Sequence, residues 1–250
     1  MKIVRFLHEG AERYGIVEGS SVRLAEGGPF DRLELTGTTF PLADLTLLSP
    51  TRPGKAVCIG LNYRDHAIEF GLPIPKTPVV FIKPSTCVIA PSETIIRPAM
   101  SERVDFEAEL VVVIGEKAKN VQAGEAERYI LGYTCGNDVT ARDLQPKDGQ
   151  WTVAKSFDTF LPFGPWIETE LDPSAIAVRA ILNGELRQSS NTSNLIFPVP
   201  ELIAFLSSVM TLEPGDIIMT GTPSGVGPMK AGDEIVVEIE GIGRLANKVR

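Results

Sequence analysis

The sequence predicts a β-rich α+β fold with few short helices and a small N-terminal β region. Three observations predict it. Short alternating or β-branched apolar runs, bounded by Gly, Pro and Asn, recur along most of the chain. Only residues 199–210, with Leu202, Ile203, Phe205, Leu206 and Val209 at helical spacing, read as a substantial helix. The strand–helix alternation of a doubly wound sheet is missing.

Taken in order, residues 2–6, 14–18 and 21–24 read as short strands between glycine and polar turns. The punctuation Leu48-Ser49-Pro50-Thr51-Arg52-Pro53-Gly54 marks a boundary near residue 50, separating this region from a main domain over 51–250. Residues 56–59 read as a strand and 63–70 as a short helix. Asn62 is placed to cap that helix, and Gly71 to stop it where a left-handed residue is wanted. Pro73, Pro75 and Pro78 lead into a strand at 79–82. Residues 103–114 give the clearest strand, and a helical turn is expected near 125–129. Further strands fall at 130–135, 175–182 and 185–188, the last two joined by Asn183-Gly184, a type I′ hairpin signal. Residues 216–220, 234–240 and 244–249 close the chain as strands.

Composition narrows the function. The 250 residues carry 24 Lys and Arg against 32 Asp and Glu, a net charge of −8. A phosphate-rich partner asks for a basic face, so neither nucleic acid nor an anionic membrane is expected. No apolar run approaches the ~18–20 residues of a membrane span. The opening Met-Lys-Ile-Val-Arg-Phe interleaves charges with apolar residues, unlike a signal peptide, and a cytoplasmic protein is expected. Cys58, Cys87 and Cys135 are odd in number and form no C-x-x-C pair, which points to buried free thiols. With His8 and His66 as the only histidines, a multi-histidine zinc centre is excluded. His8, in a turn before Glu9-Gly10, reads as exposed and idle.

The segment Val104-Asp105-Phe106-Glu107-Ala108-Glu109-Leu110-Val111 has period two. Phe106, Ala108 and Leu110 fall on one face and Asp105, Glu107 and Glu109 on the other. A solvated acidic face is one reading. The continuation Val111-Val112-Val113-Ile114 is apolar on both faces, however, so the nearer acids are expected to be partly buried. Buried carboxylates need neutralising, and oxygen ligands without Cys or His suit a hard cation such as Mg²⁺, Mn²⁺ or Ca²⁺. Asp138 ends the next strand-like run, where it is either a third ligand beside the glutamates or a turn-forming Asn-Asp residue. In Asn62-Tyr63-Arg64-Asp65-His66-Ala67-Ile68-Glu69, His66 and Glu69 share a helical face at i, i+3. They form either an oriented general base or a surface pair. The helix and its prolines suggest a lid with few apolar anchors, Ala67, Ile68 and Phe70. Thr220-Gly221-Thr222-Pro223-Ser224-Gly225-Val226-Gly227 is neither a Walker loop nor a Rossmann turn; it is a carboxylate cradle or a tightly packed loop. Lys155 is a lone cation in an apolar stretch, snorkelling to the surface or facing the acids. Nothing local singles out Gln145.

In this order these segments resemble the fumarylacetoacetate hydrolase (FAH) superfamily. The resemblance rests on Cys58-Ile59-Gly60-Leu61-Asn62-Tyr63-Arg64-Asp65-His66, Glu107-Ala108-Glu109, Asn137-Asp138-Val139-Thr140-Ala141-Arg142-Asp143, Lys155-Ser156-Phe157-Asp158-Thr159-Phe160 and Thr220-Gly221-Thr222-Pro223. It implies a mixed β-sandwich roll, usually homodimeric. It implies Glu107, Glu109 and Asp138 as Mg²⁺ or Mn²⁺ ligands and His66 with Glu69 as the water-activating dyad. Lys155, Gln145 and Thr222 match the residues that bind the oxoacid end of the substrate. Leu61 departs from the Arg that some acylpyruvate hydrolases carry before Asn-Tyr. Members with Leu or Met there include some implicated in oxaloacetate keto–enol tautomerisation.

The expected activity is hydrolysis of a C–C bond in a 2,4-dioxo acid, with pyruvate enolate as leaving group. Tautomerisation, isomerisation or decarboxylation of a related 2-oxo diacid is the alternative, and a non-catalytic oxoacid-binding protein is the reading from another class.

Overall fold

The strand Ala108–Ile114 organises the molecule, and every residue in it is buried. Leu110, Val112 and Ile114 point into one core with Val178, Ala180, Val237 and Ile239, while Val111 and Val113 point into another with Cys58, Leu161, Phe163 and Met219. Burial of each such side chain contributes about 1.5–3 kcal/mol. A strand clad on both faces in this way can carry buried charge at its start.

The computed structural model describes residues 1–69, 71 and 73–250. The largest sheet has twelve strands, ten of them in the order Leu33–Pro41, Ser21–Gly27, Ala11–Glu18, Lys2–His8, Leu161–Glu168, Ile130–Asn137, Ala108–Ile114, Ile217–Met219, Ala56–Gly60, Val79–Lys83. It is mixed: Ile217–Met219 runs parallel to Ala56–Gly60, and most other pairs are antiparallel. A five-stranded sheet (Glu185–Asn191, Ala177–Leu182, Glu234–Ile239, Gly243–Val249, Thr94–Ile95) packs on one face of it, sharing the first core. A small sheet of Thr140–Ala141, Val104–Phe106 and Gly227–Met229 lies beside them. The β-rich class is as expected, and the helix at 199–210 is found as Val199–Val209.

Three expectations need correction, and the open choice over the acidic face is decided for burial. The single strand at 103–114 is two, Val104–Phe106 and Ala108–Ile114, because the chain changes sheet at Glu107. Its acidic face is not solvated: Asp105 is fully buried and pairs with Arg103 and Arg142. Asn62 does not cap the Arg64–Glu69 helix. Its side chain instead bonds Phe197 through both amide atoms and donates to the Thr220 carbonyl. His8 is half-buried, its ring 4.3 Å from that of Phe40. The expected helix end at Phe70 lies outside the described residues.

Besides strands of two or three residues, two long strands escaped the sequence reading. Leu161–Glu168 carries Pro162, Gly164 and Pro165, residues that argue against a central strand. Leu33–Pro41 is a Thr-rich edge strand with little apolar alternation. The first fifty residues continue the large sheet, since Lys2 and Ile3 pair with Glu168 and Ile167. Cys58, Cys87 and Cys135 are buried free thiols. Among the described residues no helix is long and apolar enough to cross a membrane.

Candidate active site

Glu107 sits in the step between two sheets, where no strand partner takes up its N–H. Side chains take up the N–H groups here: Asn137 Oδ1 accepts from Glu107 N–H, and Gln188 Oε1 from Ala108 N–H, both at 2.9 Å. Ala108 pairs with Asn137, and Asp138 N–H donates to the Glu107 carbonyl at 2.9 Å. This register brings one carboxylate oxygen from each of Glu107, Glu109 and Asp138 within 4.8 Å of one another. Their exposures are 5%, 1% and 1%.

Three buried carboxylates are sustainable only with cations nearby. Lys155, 2% exposed, donates to Glu107 Oε2 at 2.9 Å and Asp138 Oδ2 at 2.7 Å. Arg142 bonds the other Glu107 oxygen and also Asp105. Lys83, fully buried, donates to the carbonyls of Val139 at 2.9 Å and Phe160 at 2.6 Å. Its Nζ lies 2.7 Å from Asp138 Oδ1, at an angle that makes no hydrogen bond. Burial alone would raise the Glu107 pKa, but Lys155 and then Arg142 outweigh it and hold that carboxyl well below the usual range. Glu109 goes the other way, pushed well above that range by burial and by the charges of Asp138 and Glu107. Burial works against the Lys155 ammonium, yet Asp138 and Glu107 raise its pKa and keep it charged.

The Arg64–Glu69 helix lies beside this centre. His66 is 7% exposed, and its Nδ1 lies 3.2 Å from Glu69 Oε2. The ring is near enough to Glu107 that a positive charge on it would lower the pKa of that carboxyl. Glu69 also accepts from Gly225 N–H at 3.1 Å, Asp65 from the Ser190 hydroxyl at 2.6 Å, and the Leu195 carbonyl from Arg64 at 2.8 Å. The expected apolar anchors contribute less: Ala67 is buried, but Ile68 is 79% exposed. The loop after Ile217–Met219 lies against the base of the helix. A Cβ on Gly221, at φ +100°, would meet Asn62 Cβ at 2.8 Å, so only glycine fits. Gly221 N–H donates to Glu109 Oε2 at 2.7 Å. Thr222 stands behind Ala108, its hydroxyl donating to the Ala108 carbonyl at 2.9 Å. Gln145 reaches the centre indirectly, accepting from Arg142 Nη1 at 2.5 Å.

Residues 55–250 match the model of the fumarylacetoacetate (FAA) hydrolase C-terminal family, and residues 1–50 match Rv2993c-like N-terminal regions. The chain belongs to the fumarylacetoacetate hydrolase family. It is 44% identical over 221 residues to the mitochondrial oxaloacetate tautomerase Fahd2a of Rattus norvegicus, covering 84% of this chain and 71% of the rat protein. The structure of 5-carboxymethyl-2-hydroxymuconate delta-isomerase from Mycobacterium smegmatis superposes with a TM-score of 0.93 at 44% identity, covering 100% of this chain and 99% of that one. Maleylpyruvate hydrolase from Sphingobium sp. SYK-6, solved with manganese(II) and pyruvate, gives 0.84 at 30% identity, covering 100% and 98%.

As an FAH-family enzyme, the protein has a donor set that fits a hard divalent ion. All three candidate ligands offer oxygen, and Asp138 Oδ1 is buried without a hydrogen-bond partner, an atom that such an ion would satisfy. Sequence reasoning missed Lys83, Arg142 and Gln188. The Pro84 that follows Lys83 and the charges around Arg142 look like ordinary surface chemistry in a linear reading. A faint signal existed for Lys83 as the one charge ending the otherwise apolar run Val79-Val80-Phe81-Ile82.

Proposed function

We propose that this FAH-family enzyme moves a proton at carbon 3 of a 2-oxo acid, as a tautomerase or isomerase of a 2-oxo diacid that uses Mg²⁺ or Mn²⁺. The observation that carries the reading is the buried His66, oriented by Glu69 and placed beside the Glu107–Glu109–Asp138 cluster. The sequence alone put hydrolysis of a 2,4-dioxo acid first. Identity of 44% with a tautomerase and an isomerase, against 36% and 30% with two hydrolases, supports putting proton transfer ahead.

An ion held by Glu107, Glu109 and Asp138 would supply Lewis-acid stabilisation of enolate charge without redox chemistry. Glu69 at Nδ1 favours the tautomer in which Nε2 is the base. Nε2 takes the proton from carbon 3, and its return to carbon at the other end of the conjugated system, or to oxygen, completes the isomerisation. Lys155 remains beside the acids as a fixed positive charge facing the developing enolate. The proton of the Thr222 hydroxyl is committed to Ala108, so backbone N–H groups of the 220s loop hold the substrate carboxylate, with Gln145 at the mouth.

The second reading, C–C hydrolysis, rests on the same dyad: Nε2 deprotonates water, hydroxide attacks the carbon 4 carbonyl, and the bond between carbons 3 and 4 breaks to release pyruvate enolate. A homodimer with a small-molecule substrate, free of nucleic acid and membrane, completes the proposal and is checked by light scattering of the purified protein.

The deciding experiment follows oxaloacetate, its enol and a set of acylpyruvates by ultraviolet absorbance, with Mn²⁺ and after EDTA. Faster keto–enol exchange of oxaloacetate, lost with EDTA, is expected. Metal-dependent cleavage of acylpyruvates with no effect on exchange would move the assignment to hydrolase. No change in any substrate would leave a binding protein.

A further inference from the structure

We propose that Gln188 is a positioning residue that couples the ligand-bearing strand to the loop that receives the oxoacid. The proposal rests on the functional reading above and extends it. Gln188 is fully buried and uses its amide in three directions. Oε1 accepts from Ala108 N–H at 2.9 Å, and Nε2 donates to Thr222 Oγ1 and to the Pro223 carbonyl, each at 2.8 Å. Thr222 closes a ring by donating to the Ala108 carbonyl at 2.9 Å. Both polar groups of Ala108 are therefore held by two side chains that also hold each other. Ala108 is the one residue between Glu107 and Glu109, at the step where the strand changes sheet.

The local backbone is built for this contact. Gln188 pairs with Ala180 but Leu186 pairs with Ile181, so a bulge leaves Arg187 over and turns Gln188 inward while Leu186, Arg187 and Ser189 stay exposed. The 220s loop presses on the same stretch: a Cβ on Gly225 would meet the Arg187 carbonyl at 2.3 Å. Gly225 in turn donates to Glu69 of the lid. One amide thus ties the angle between two candidate ligands to the placement of the oxoacid loop, and through that loop to the partner of His66.

The test uses the full chain with Mn²⁺ and with oxalate as the oxoacid probe. Gln188→Met keeps the volume and removes all three bonds. It is expected to weaken oxalate binding to the Mn²⁺-loaded protein at least tenfold, change the electron paramagnetic resonance line shape of bound Mn²⁺ and raise KM more than it lowers kcat. Asn183→Ala removes the bonds of the hairpin turn on the same two strands, to Asp233 and Glu234, and serves as the stability control; all three readouts should stay unchanged. Should Gln188→Met not fold, Gln188→Glu retains an acceptor for Ala108 and loses both donors. Oxalate should then weaken tenfold while Mn²⁺ affinity stays within threefold. Unchanged oxalate affinity and line shape in the folded variant overturn the coupling, as does an equal loss in Asn183→Ala. A wild type that takes up neither Mn²⁺ nor oxalate overturns the functional reading, and the coupling with it.

Discussion

The acid centre and the lid beside it are held by different physics. In the centre, Glu107 and Asp138 each lie against two cations, Lys155 bridges the two, Arg142 is further fixed by Asp105, and Lys83 is further fixed by backbone carbonyls. No member can move without leaving a buried charge uncompensated. The lid is pinned by separate hydrogen bonds at partly open positions, Asp65 to Ser190, Arg64 to Leu195 and Glu69 to Gly225. Each can be given up singly and exchanged for water. Charge pairing makes a rigid floor, and single bonds make a cover that can lift.

Substitutions should separate the two regions. The largest effect is expected for Asp138→Ala, which takes the carboxylate from between Lys83 and Lys155 and leaves two buried ammonium groups short of a partner. A stability loss of about 3–5 kcal/mol in urea unfolding is expected, together with loss of Mn²⁺ uptake by calorimetry. A loss below about 1 kcal/mol would mean that the floor is wetter and looser than its contacts state.

His66→Ala should act the other way round. A fall of about 10²–10⁴-fold in kcat is expected from removing a general base, with the unfolding midpoint and Mn²⁺ affinity close to wild type. If stability fell as far as for Asp138→Ala, the lid would belong to the floor.

Ser190→Ala removes one lid contact at 2.6 Å from Asp65. A hydrogen bond to a charged group contributes about 1.5 kcal/mol at the lower end, which corresponds to a rise in KM of up to roughly tenfold with kcat little changed. Steady-state kinetics checks this, and an unchanged KM would show that the remaining contacts keep the lid closed.

The smallest effect probes what lies beneath. Cys58 belongs to the strand Ala56–Gly60, next to the lid base, and burial pushes its thiol well above the usual range. Burial pushes Cys87 up to about 11. At pH 8 roughly one Cys87 thiol in a thousand would then be thiolate. Ellman's reagent should find no reactive thiol in the folded protein and three after unfolding. Reaction of Cys58 in the native protein would place the boundary between fixed and movable parts below the lid.

Much of this was legible in the sequence, because periodicity reports on single strands. The double-sided apolar run Val111-Val112-Val113-Ile114 announced a strand between two cores, and the structure buries every one of its residues. The period-two acids and Asp138 were visible as candidates. What linear order could not show was which side chains arrive from elsewhere. Lys83, Arg142 and Gln188 earn their places only through register: Lys83 ends the sheet's outer strand, Arg142 follows a two-residue strand paired to Val104–Phe106, and Gln188 is turned inward by a bulge. The Asn62 cap failed for a related reason, since a local preference lost to three tertiary hydrogen bonds. Leu161–Glu168 was hidden because its prolines break the usual strand signal although the chain is extended there.

The pairing of Lys2–His8 with Leu161–Glu168 has a consequence for synthesis. As the chain leaves the ribosome, the strands Lys2–His8, Ala11–Glu18, Ser21–Gly27 and Leu33–Pro41 can form a meander from local contacts alone. On one edge of that meander Phe6 and Leu7 meet Leu47 and Thr46 early, but Lys2 and Ile3 stay without a neighbour until residue 168 has emerged. Glu107 and Glu109 wait in a similar way for Lys155. Loop closure over such a span is slow compared with hairpin formation. The Lys2–Ile3 end of this strand is kept waiting while more than a hundred further residues are made, and its unpaired edge is where a stalled or truncated nascent chain would stick to another copy.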